Sequence, residues 1–306
     1  MAYGGIIAKL RRLYFRNRNR WVSRLSGSRE LYGSVVADGL IFRYNRRDIY
    51  IPMLMYGTKE VYSKQDIHFF IEAAAKYYGK RSDSGSVGSG SNSSGGIFLD
   101  IGANIGTTSI YVNKRLLPQI KVYAFEPDEQ NYTLLKANAE LNGCTNFVAE
   151  KIALSNSSAK LVMEVNKTNR GGNAVIGELC NGQATQSTTQ TDSADNEIVD
   201  AITLADYMQQ HNISAEQIDY IWIDVEGHEP QVIEGAMPIL RQKKIPLFME
   251  FTPALYAKQG TLSALLENLS SIYSHYYAID GSYGTITALE EHFKSGRISF
   301  LDIFLV

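Results

Sequence analysis

Short apolar runs that end in glycine, proline or an acidic residue recur along the chain, and stretches with helical periodicity separate them. The clearest run is residues 97–101, where four apolar residues surround Asp100 and lead directly into Gly102. A short apolar run that stops at a glycine is typical of a strand buried inside a sheet. Similar runs predict further strands at residues 121–125, 147–153, 218–223, 246–251, 276–280 and 300–306.

Apolar residues three and four positions apart predict the helices that follow several of these strands. The first helix spans residues 107 to about 115, with Thr107 and Thr108 as candidate N-terminal caps. Other helices are predicted at residues 129–142, from residue 230 onward and at 262–272. A strand, a glycine turn and a helix in this order form the start of a nucleotide-binding βαβ unit.

A different pattern precedes residue 97 and predicts a small cap in front of the main sheet. Residues 34–37, 40–44 and 49–52 have the composition of short strands, and Asp38-Gly39 is a hairpin turn signal between the first two. Residues 66–78 show helical periodicity. Residues 80–96 are rich in serine and glycine, which favours a flexible linker or surface loop.

Residues 160–200, between the third and fourth main strands, show weaker patterns. Residues 160–165 alternate like an edge strand, and residues 169–173 favour a turn. Arg170 and Asn173 are candidate contacts to an acceptor substrate, although a plain turn is the simpler explanation for them. Residues 182–196 are polar without an apolar face, which favours a mobile loop beside the acceptor site.

The charge is distributed unevenly along the 306 residues, of which 44% are hydrophobic and 20% are charged. Residues 1–29 hold eight basic residues and no acidic one, so the remainder carries −10 because the whole chain carries −2. Apolar residues recur at roughly helical spacing in this basic segment: Tyr3, Ile6, Leu10, Leu13, Trp21 and Leu25. Such a segment could lie on an anionic membrane, act as an organelle transit peptide, or pack on the main domain.

Composition also limits the cellular setting. The chain has no apolar run long enough to span a membrane, and we expect no secretory signal because the first residues lack a long apolar core. Cys144 and Cys180 are not spaced as a metal or redox motif, so a reducing, cytoplasmic setting is the simplest expectation. Peripheral attachment to a membrane and import into an organelle are the alternatives. We expect no nucleic-acid partner, because a basic segment alone is a weak signal and the rest is acidic.

The glycine turn distinguishes between two classes of cofactor. Enzymes that transfer hydride use G-x-G-x-x-G, whose second glycine admits a pyrophosphate. Here the turn has an acid, Asp100, ahead of it and Asn104 in place of a glycine; its members are Asp100, Gly102, Ala103, Asn104 and Gly106. An acid at this point suits a ligand with an amino group and no phosphate, which indicates S-adenosylmethionine.

Two later strand ends support this cofactor. Glu126 follows Asp100 by 26 residues and ends the second strand, where an acid binds two vicinal ribose hydroxyls. Pro127 then stops the strand. Ala153 lies at the end of the third strand, where an adenine ring would lie in such a fold. The alternative is that Asp100 and Glu126 are ordinary polar residues at strand ends.

Four ionisable residues fall within six positions just after the fourth strand: Asp224, Glu226, His228 and Glu229. Such a group is what proton abstraction from a hydroxyl, or a metal site, would need. Asp224 would lie nearest the cofactor, as both a catalytic and a cofactor-binding residue, with Glu226 and His228 as further catalytic candidates. Glu229 is explained as well by the preference of acids for helix N-termini, and His228 by a capping role.

Four motifs in order resemble the signatures of FkbM-family methyltransferases: residues 100–106, 124–127, 152–155 and 223–229. Thr203-Leu-Ala-Asp-Tyr207 also resembles a helix start of that family, with Ala205 inserted where an acid is usual. The family often has a lysine where this chain has Trp222. The resemblance implies O-methylation of sugar or polyketide hydroxyls with S-adenosylmethionine. It also implies an α/β, Rossmann-like fold with a seven-stranded, mostly parallel sheet, helices on both faces and the last strand antiparallel between its neighbours.

We therefore divide the chain into a basic segment (1–29), an N-terminal α+β cap (30–80), a Ser/Gly-rich loop (81–96) and a methyltransferase domain (97–306). The expected chemistry is in-line methyl transfer to the hydroxyl of a small molecule or glycan, with His228 or Asp224 as the base. We assign no metal, although Asp224, Glu226 and Glu250 offer oxygen ligands to a divalent cation. N-methylation and a non-catalytic nucleotide-binding role are the alternatives.

Overall fold

The computed structural model describes residues 32–48, 50–78, 96–166, 169–180, 183–184, 195–294 and 300–306. The basic segment 1–29, nearly all of the Ser/Gly-rich stretch 80–96 and most of the polar stretch 182–196 lie outside these residues. The strands are β1 (Tyr32–Ala37), β2 (Leu40–Asn45), β3 (Ile97–Ile101), β4 (Lys121–Phe125), β5 (Phe147–Glu150), β6 (Ala153–Leu154), β7 (Ala159–Val165), β8 (Ala174–Cys180), β9 (Gln183–Ala184), β10 (Asp195–Ile202), β11 (Ile218–Ile223), β12 (Leu247–Phe251), β13 (His275–Ala278), β14 (Tyr283–Thr285) and β15 (Leu301–Leu305).

The helices lie mainly between the strands of the large sheet, as the alternating pattern predicts. They are α1 (Tyr50–Thr58), α2 (Lys64–Tyr77), α3 (Thr107–Tyr111), α4 (Glu129–Leu141), α5 (Leu204–Gln210), α6 (Glu229–Leu240), α7 (Pro253–Gln259), α8 (Leu262–Ile272) and α9 (Leu289–Lys294). A π-helical turn, Val112–Leu116, continues α3. The sequence patterns missed α7 and α9, each of which is only six or seven residues long. Among the described residues, no helix is long and apolar enough to cross a membrane.

Eight strands form the main sheet of the described residues, in the order β14-β13-β15-β12-β11-β3-β4-β5. Strands β5, β4, β3, β11 and β12 run parallel, and β15 lies antiparallel between β12 and β13. This confirms the Rossmann-like α/β fold, with short β14 added as an eighth strand at the edge. Chain order reverses between β3 and β11, and ligands bind at the carboxyl ends of the strands at such a switch point.

A second sheet of the described residues has the order β6-β10-β7-β8-β9. It corrects two predictions. The third strand of the main sheet ends at Glu150 rather than residue 153, because Ala153 and Leu154 pair with Ala201 and Ile202 of the second sheet instead. The segment predicted as an edge strand, β7, lies inside this sheet, because β10 and β8 pair with it on both sides.

The N-terminal region begins with the predicted hairpin, β1–β2, whose turn residues Asp38 and Gly39 have φ values of 49° and 72°. The strand predicted at residues 49–52 is wrong, since residues 50–58 form α1. Ile51, Leu54 and Met55 are buried at helical spacing, and Pro52 is tolerated because it lies in the first turn. A run of three apolar residues in the sequence could not distinguish these two outcomes.

Helix α2 packs directly against one face of the main sheet. The fully buried Phe70 ring lies with its centroid 5.7 to 6.4 Å from the rings of five aromatic side chains on the strands: Phe98, Tyr220, Trp222, Phe248 and Phe304. Trp222 stacks on Phe248 at 3.8 Å. The N-terminal region therefore shares a core with the sheet, and this packing holds α2 next to the strand ends.

Candidate active site

A cavity opens at the carboxyl ends of β3, β4 and β11, at the switch point of the sheet. The glycine turn after β3, the acidic turn after β4 and the loop after β11 form three of its walls. Residues of α1, of the α1–α2 loop and of the β7–β8 turn complete it. The sequence predicted the first three walls and offered Arg170 and Asn173 of the β7–β8 turn as candidate contacts, but it did not predict that α1 or the α1–α2 loop would contribute.

The glycine turn holds the ends of β3, β4 and β11 together. The amides of Gly102 and Ala103 both donate to the carbonyl of Phe125, at 3.0 and 2.9 Å. Gly102 has a φ of +90°, and a Cβ there would lie 1.8 Å from the carbonyl oxygen of Asp224. Glycine is therefore needed at this position both for its backbone conformation and for the close approach of the loop after β11. Gly102, Ala103 and Asn104 all line the cavity.

Glu126 lies on the opposite wall and is joined to the glycine turn. Its carboxylate accepts hydrogen bonds from the amides of Asn104 and Asp128, at 2.8 and 2.9 Å. Burial raises the pKa of Glu126 to about 8, although these two amides oppose the shift. Glu126 and Pro127 both line the cavity, as predicted. Each carboxylate oxygen keeps acceptor capacity that can serve a ligand hydroxyl.

Two predicted cofactor contacts, Asp100 and Gly106, are not among the residues that line the cavity. The Asp100 side chain is buried and accepts a hydrogen bond from the hydroxyl of Ser109. Burial raises the pKa of Asp100 to about 7. A Cβ on Gly106 would lie 2.7 Å from Leu135, so this glycine permits helix packing. Gly106, with a φ of +90°, is also the N-cap of α3, a role that the sequence had suggested for Thr107 or Thr108.

The predicted adenine end of the cavity is apolar. Ile152, Ala153 and Leu154 line it from the break between the two sheets. Met163 and Val175 of the second sheet line the same cavity. Sequence reasoning missed these two residues, because it did not recognise the second sheet to which they belong.

The loop after β11 supplies Asp224, Val225, Glu226 and His228 to the cavity. The amide of Asp224 donates to the carbonyl of Ile101 at 2.9 Å, which fixes the start of the loop beside the glycine turn. Burial raises the pKa of Asp224 to about 6. Partial desolvation at the cavity wall, together with the carboxylates of Asp224 and Glu229, raises the pKa of Glu226 as well, although the residue keeps an exposed surface. The three predicted catalytic residues, Asp224, Glu226 and His228, therefore lie on the wall of one cavity.

His228 is held in a neutral form. Its Nε2 atom lies 2.9 Å from the hydroxyl of Ser155, and its side chain is buried. Burial lowers the pKa of His228 to about 4, so the ring is uncharged near neutral pH. The backbone of His228 occupies the N-cap position of α6, but its side chain makes no capping hydrogen bond, so a capping role does not explain this side chain.

The turn between β7 and β8 closes the cavity on the side of Glu126. Arg170 forms an ion pair with the fully buried carboxylate of Asp128, to which Asn173 also donates at 3.2 Å. Asn169, Arg170 and Asn173 line the cavity, and Arg170 and Asn173 are the two residues that the sequence offered as candidate contacts to an acceptor. Because the Arg170 charge is matched by Asp128, its clearest role is to fix this turn.

Glu250 does not line the cavity. Burial and the carboxylates of Asp224 and Glu226 raise the pKa of Glu250 to about 9. Among the residues that the structure describes, no group of three His, Cys, Asp or Glu side chains is arranged to hold a metal ion. The resemblance would place a lysine where this chain has Trp222, a residue that lines the cavity and whose ring stacks on Phe248.

Together, the sheet order, the glycine turn beside Asp224 and the acid after β4 define the class of a Rossmann-like, S-adenosylmethionine-dependent methyltransferase. Comparison with known families gives the same result. Residues 100–278, more than half of the chain, match the model of the methyltransferase FkbM domain. The chain belongs to the FkbM methyltransferase family.

Several individual proteins are also similar. Methyltransferase sdnD of Sordaria araneosa is 30% identical over 153 residues, which are 45% of this chain and 59% of the relative. This chain thus matches about three-fifths of the length of that relative. The FkbM methyltransferase of Methylobacillus flagellatus aligns with a TM-score of 0.38 and 14% identity, over 96% of this chain and 60% of that one. TYW2 of M. jannaschii in complex with AdoMet aligns with a TM-score of 0.38 and 12% identity, over 91% and 85%.

Proposed function

We propose that this enzyme methylates a hydroxyl oxygen on a sugar, a glycan or a natural-product small molecule, with S-adenosylmethionine as the methyl donor. One observation carries the proposal: a single cavity joins Glu126, at the ribose position of the fold, to Asp224 across the glycine turn. A methyl donor bound along the wall that holds Glu126 presents its methyl group toward the wall that holds Asp224. The family implies the methyl donor. We infer the acceptor from the residues on the wall that holds Asp224.

The residues on the donor side fit S-adenosylmethionine. Asn104 Oδ1 is buried and has no hydrogen-bond partner among the described residues, although the side chain lines the cavity. A buried acceptor in this position would be satisfied by a donor group of the ligand. Glu126 would bind the ribose hydroxyls, and Ala153 would lie against the adenine. The cofactor supplies a methyl group on a sulfonium, an activated leaving group.

Aromatic and acidic side chains form the acceptor side. Tyr50, Tyr62 and Trp222 line the cavity together with Asp224 and Glu226. The Tyr50 and Tyr62 rings meet edge to face at 6.5 Å. Burial and the nearby Asp224 carboxylate raise the pKa of Tyr62 well above its usual value of 10, so this hydroxyl stays protonated. Aromatic faces and carboxylates suit an acceptor that presents C–H faces and hydroxyl groups.

Asp224 is better suited than His228 to accept the proton of the acceptor hydroxyl. A pKa of about 6 leaves Asp224 largely ionised at neutral pH, yet more basic than an ordinary aspartate. His228 is neutral, but with a pKa of about 4 it is a weak base. Its Nε2 atom also bonds to Ser155. We therefore assign the role of general base to Asp224. His228 instead holds Ser155 and the loop after β11 in place.

The direct test is a search for the methylated product. Cell extract is incubated with the enzyme and S-adenosylmethionine that carries a deuterated methyl group, and new labelled masses are identified by mass spectrometry. We expect a label on an oxygen of a polyhydroxylated compound. A label on nitrogen would overturn the O-methylation proposal. Cofactor binding by calorimetry without any labelled product in extracts that contain such compounds would favour a non-catalytic role.

Glu126→Ala tests the donor side separately. Removal of two hydrogen bonds between the ribose hydroxyls and the Glu126 carboxyl is expected to weaken binding of S-adenosylmethionine up to about 100-fold. Glu129→Ala is the control, because that nearby carboxylate is mostly exposed and pairs with Lys151 at the surface. Calorimetric titration of the three proteins decides the question. Equal affinity of Glu126→Ala and the wild type would refute the ribose assignment.

The affinity for S-adenosylmethionine is also expected to depend on pH. The donor carries a net positive charge, and only ionised carboxylates attract it. Because the pKa of Glu126 is about 8 and that of Asp224 about 6, both gain negative charge as the pH rises from 6 to 8. We therefore expect affinity to increase about 10-fold over this range. Titration at pH 6, 7 and 8 measures it, and the slope should be shallower in Glu126→Gln; an affinity that falls with pH would contradict the assignment.

A further inference from the structure

Glu229 is the first residue of α6, and it lies behind the cavity rather than on its wall. Its side chain is completely buried, which is unusual for a glutamate. Both carboxylate oxygens are used: Oε1 accepts from the amide of Val225 at 3.0 Å, and Oε2 accepts from the hydroxyl of Tyr256 at 2.9 Å. The catalytic scheme above makes no use of this pair.

The amide that Glu229 binds belongs to the peptide unit between Asp224 and Val225. The carbonyl oxygen of that same unit lies against Gly102, since a Cβ on Gly102 would be only 1.8 Å away from it. One peptide unit is therefore held by the buried carboxylate on its amide side and packed on the glycine turn on its carbonyl side. Its orientation sets the direction in which the Asp224 side chain enters the cavity.

Tyr256 extends this connection to a third strand end. Its hydroxyl lies 2.9 Å from the backbone carbonyl of Glu250 near the end of β12, and the side chain is fully buried in α7. The neighbouring Leu255 packs so close to Gly227 that a Cβ there would lie 2.3 Å from its Cδ2 atom. Helix α7 thus contacts the loop after β11 through Leu255 and the first residue of α6 through Tyr256.

The loop needs such support because of its backbone conformation. Glu226 and Gly227 have φ values of +52° and +96°, in the left-handed region that a glutamate rarely adopts. Residues in this conformation persist where surrounding contacts fix them. The bond from Glu229 to Val225 lies immediately before this pair.

We propose that Glu229 and Tyr256 are positioning residues that fix the Asp224–Val225 peptide unit, and through it the carboxylate of Asp224, against the methyl donor. The inference rests on the proposed role of Asp224. It assigns Glu229 a role through its hydrogen bonds rather than through its charge or through proton transfer. Glutamine should therefore preserve the function of this position. Its amide oxygen can accept the hydrogen bond from the Val225 amide, and its amide nitrogen can donate to the Tyr256 hydroxyl oxygen. The Tyr256 hydroxyl then donates its own proton to the Glu250 carbonyl.

The test compares Glu229→Gln, Glu229→Leu and Tyr256→Phe with the wild type in calorimetric titrations with S-adenosylmethionine. Hydrogen exchange followed by mass spectrometry reports on peptides that contain Val225. We expect Glu229→Leu to weaken cofactor binding about 10- to 30-fold and to speed exchange at Val225, because the buried amide of Val225 is left without a hydrogen-bond acceptor. Glu229→Gln should stay within about 3-fold of the wild type. Glu234→Gln and Glu234→Leu are the controls, because Glu234 lies exposed on the same helix.

The outcomes separate this inference from the proposed function. If the wild type does not bind S-adenosylmethionine, the donor assignment is wrong. If it binds and Glu229→Leu matches it in affinity and exchange, the positioning role is wrong and the donor assignment stands. Equal losses in Glu229→Gln and Glu229→Leu would also overturn it, because the charge would then be the essential property. Should Glu229→Leu not fold, Tyr256→Phe decides: faster exchange at Val225 with weaker binding supports the role, and wild-type values on both overturn it.

Discussion

Asp224→Asn is expected to lower the rate of methyl transfer about 100- to 10,000-fold, which is the usual contribution of a general base. Asparagine keeps the size of the side chain and its place on the cavity wall, but it cannot accept a proton from the acceptor hydroxyl. Binding of S-adenosylmethionine should weaken far less, because Glu126 and the glycine turn are unchanged. Rates are measured with the labelled donor and the extract fraction in which the labelled product is found.

Two further variants make this result interpretable. Asp200→Asn changes an exposed carboxylate on β10 that pairs with Lys160, and it should leave the rate unchanged. His228→Gln should lower the rate less than Asp224→Asn, since His228 is a weak base that bonds to Ser155. A rate that survives in Asp224→Asn and is lost in His228→Gln would assign the base to His228 instead.

Gly102→Ala is expected to destabilise the protein by about 4 kcal/mol or more and to abolish cofactor binding. Part of this cost is the strain of an alanine at a φ of +90°. The larger part is the contact between the new Cβ and the backbone of Asp224, at 1.8 Å in the present geometry. Backbone cannot turn away as a side chain does, so the glycine turn and the loop after β11 must separate. The measurements are the midpoint of thermal unfolding and a calorimetric titration.

The chain contains a matched control for this substitution. Gly281 has the same φ of +90°, but a Cβ there would meet nothing within 4 Å. Gly281→Ala therefore carries the backbone strain alone and should cost about 1 to 2 kcal/mol without an effect on the cofactor. If both variants lose the same free energy of unfolding, the packing of Gly102 on Asp224 does not contribute to stability. The described contact between the glycine turn and the loop after β11 is then wrong.

The parts of the fold that could be predicted are those whose residues are buried on both sides of the sheet. Ile97, Leu99 and Ile101 pack on one face of β3 and Phe98 packs on the other, so apolar residues lie on both faces of the strand, and the run stops where Gly102 turns. Glu126 follows β4 and Asp224 follows β11, and these strand ends meet at one cavity. Local sequence determines which residues end a parallel strand, and the fold brings those ends together.

Other features depend on contacts between distant residues, which a single sequence does not reveal. Tyr50 and Tyr62 line the cavity and belong to the apolar cluster that Phe70 of α2 forms with the sheet. Ala153 was correctly predicted to reach the cavity, but its strand pairs with Ala201, 48 positions away. Asp100 was predicted to face the ligand because it precedes a glycine turn. Its side chain instead bonds to Ser109, in the first turn of the following helix.

The position of β15 in the sheet has a consequence for how the protein folds. Strands β12 and β13 have no hydrogen bonds to each other and are joined only through β15, which comes about 23 residues after β13 in the chain. During synthesis, both strands therefore expose an unpaired edge until residues 301–305 have left the ribosome. Unpaired edges recruit other chains, and such late, non-local pairing is slow. Aggregation of nascent or truncated chains should therefore compete with folding at this step.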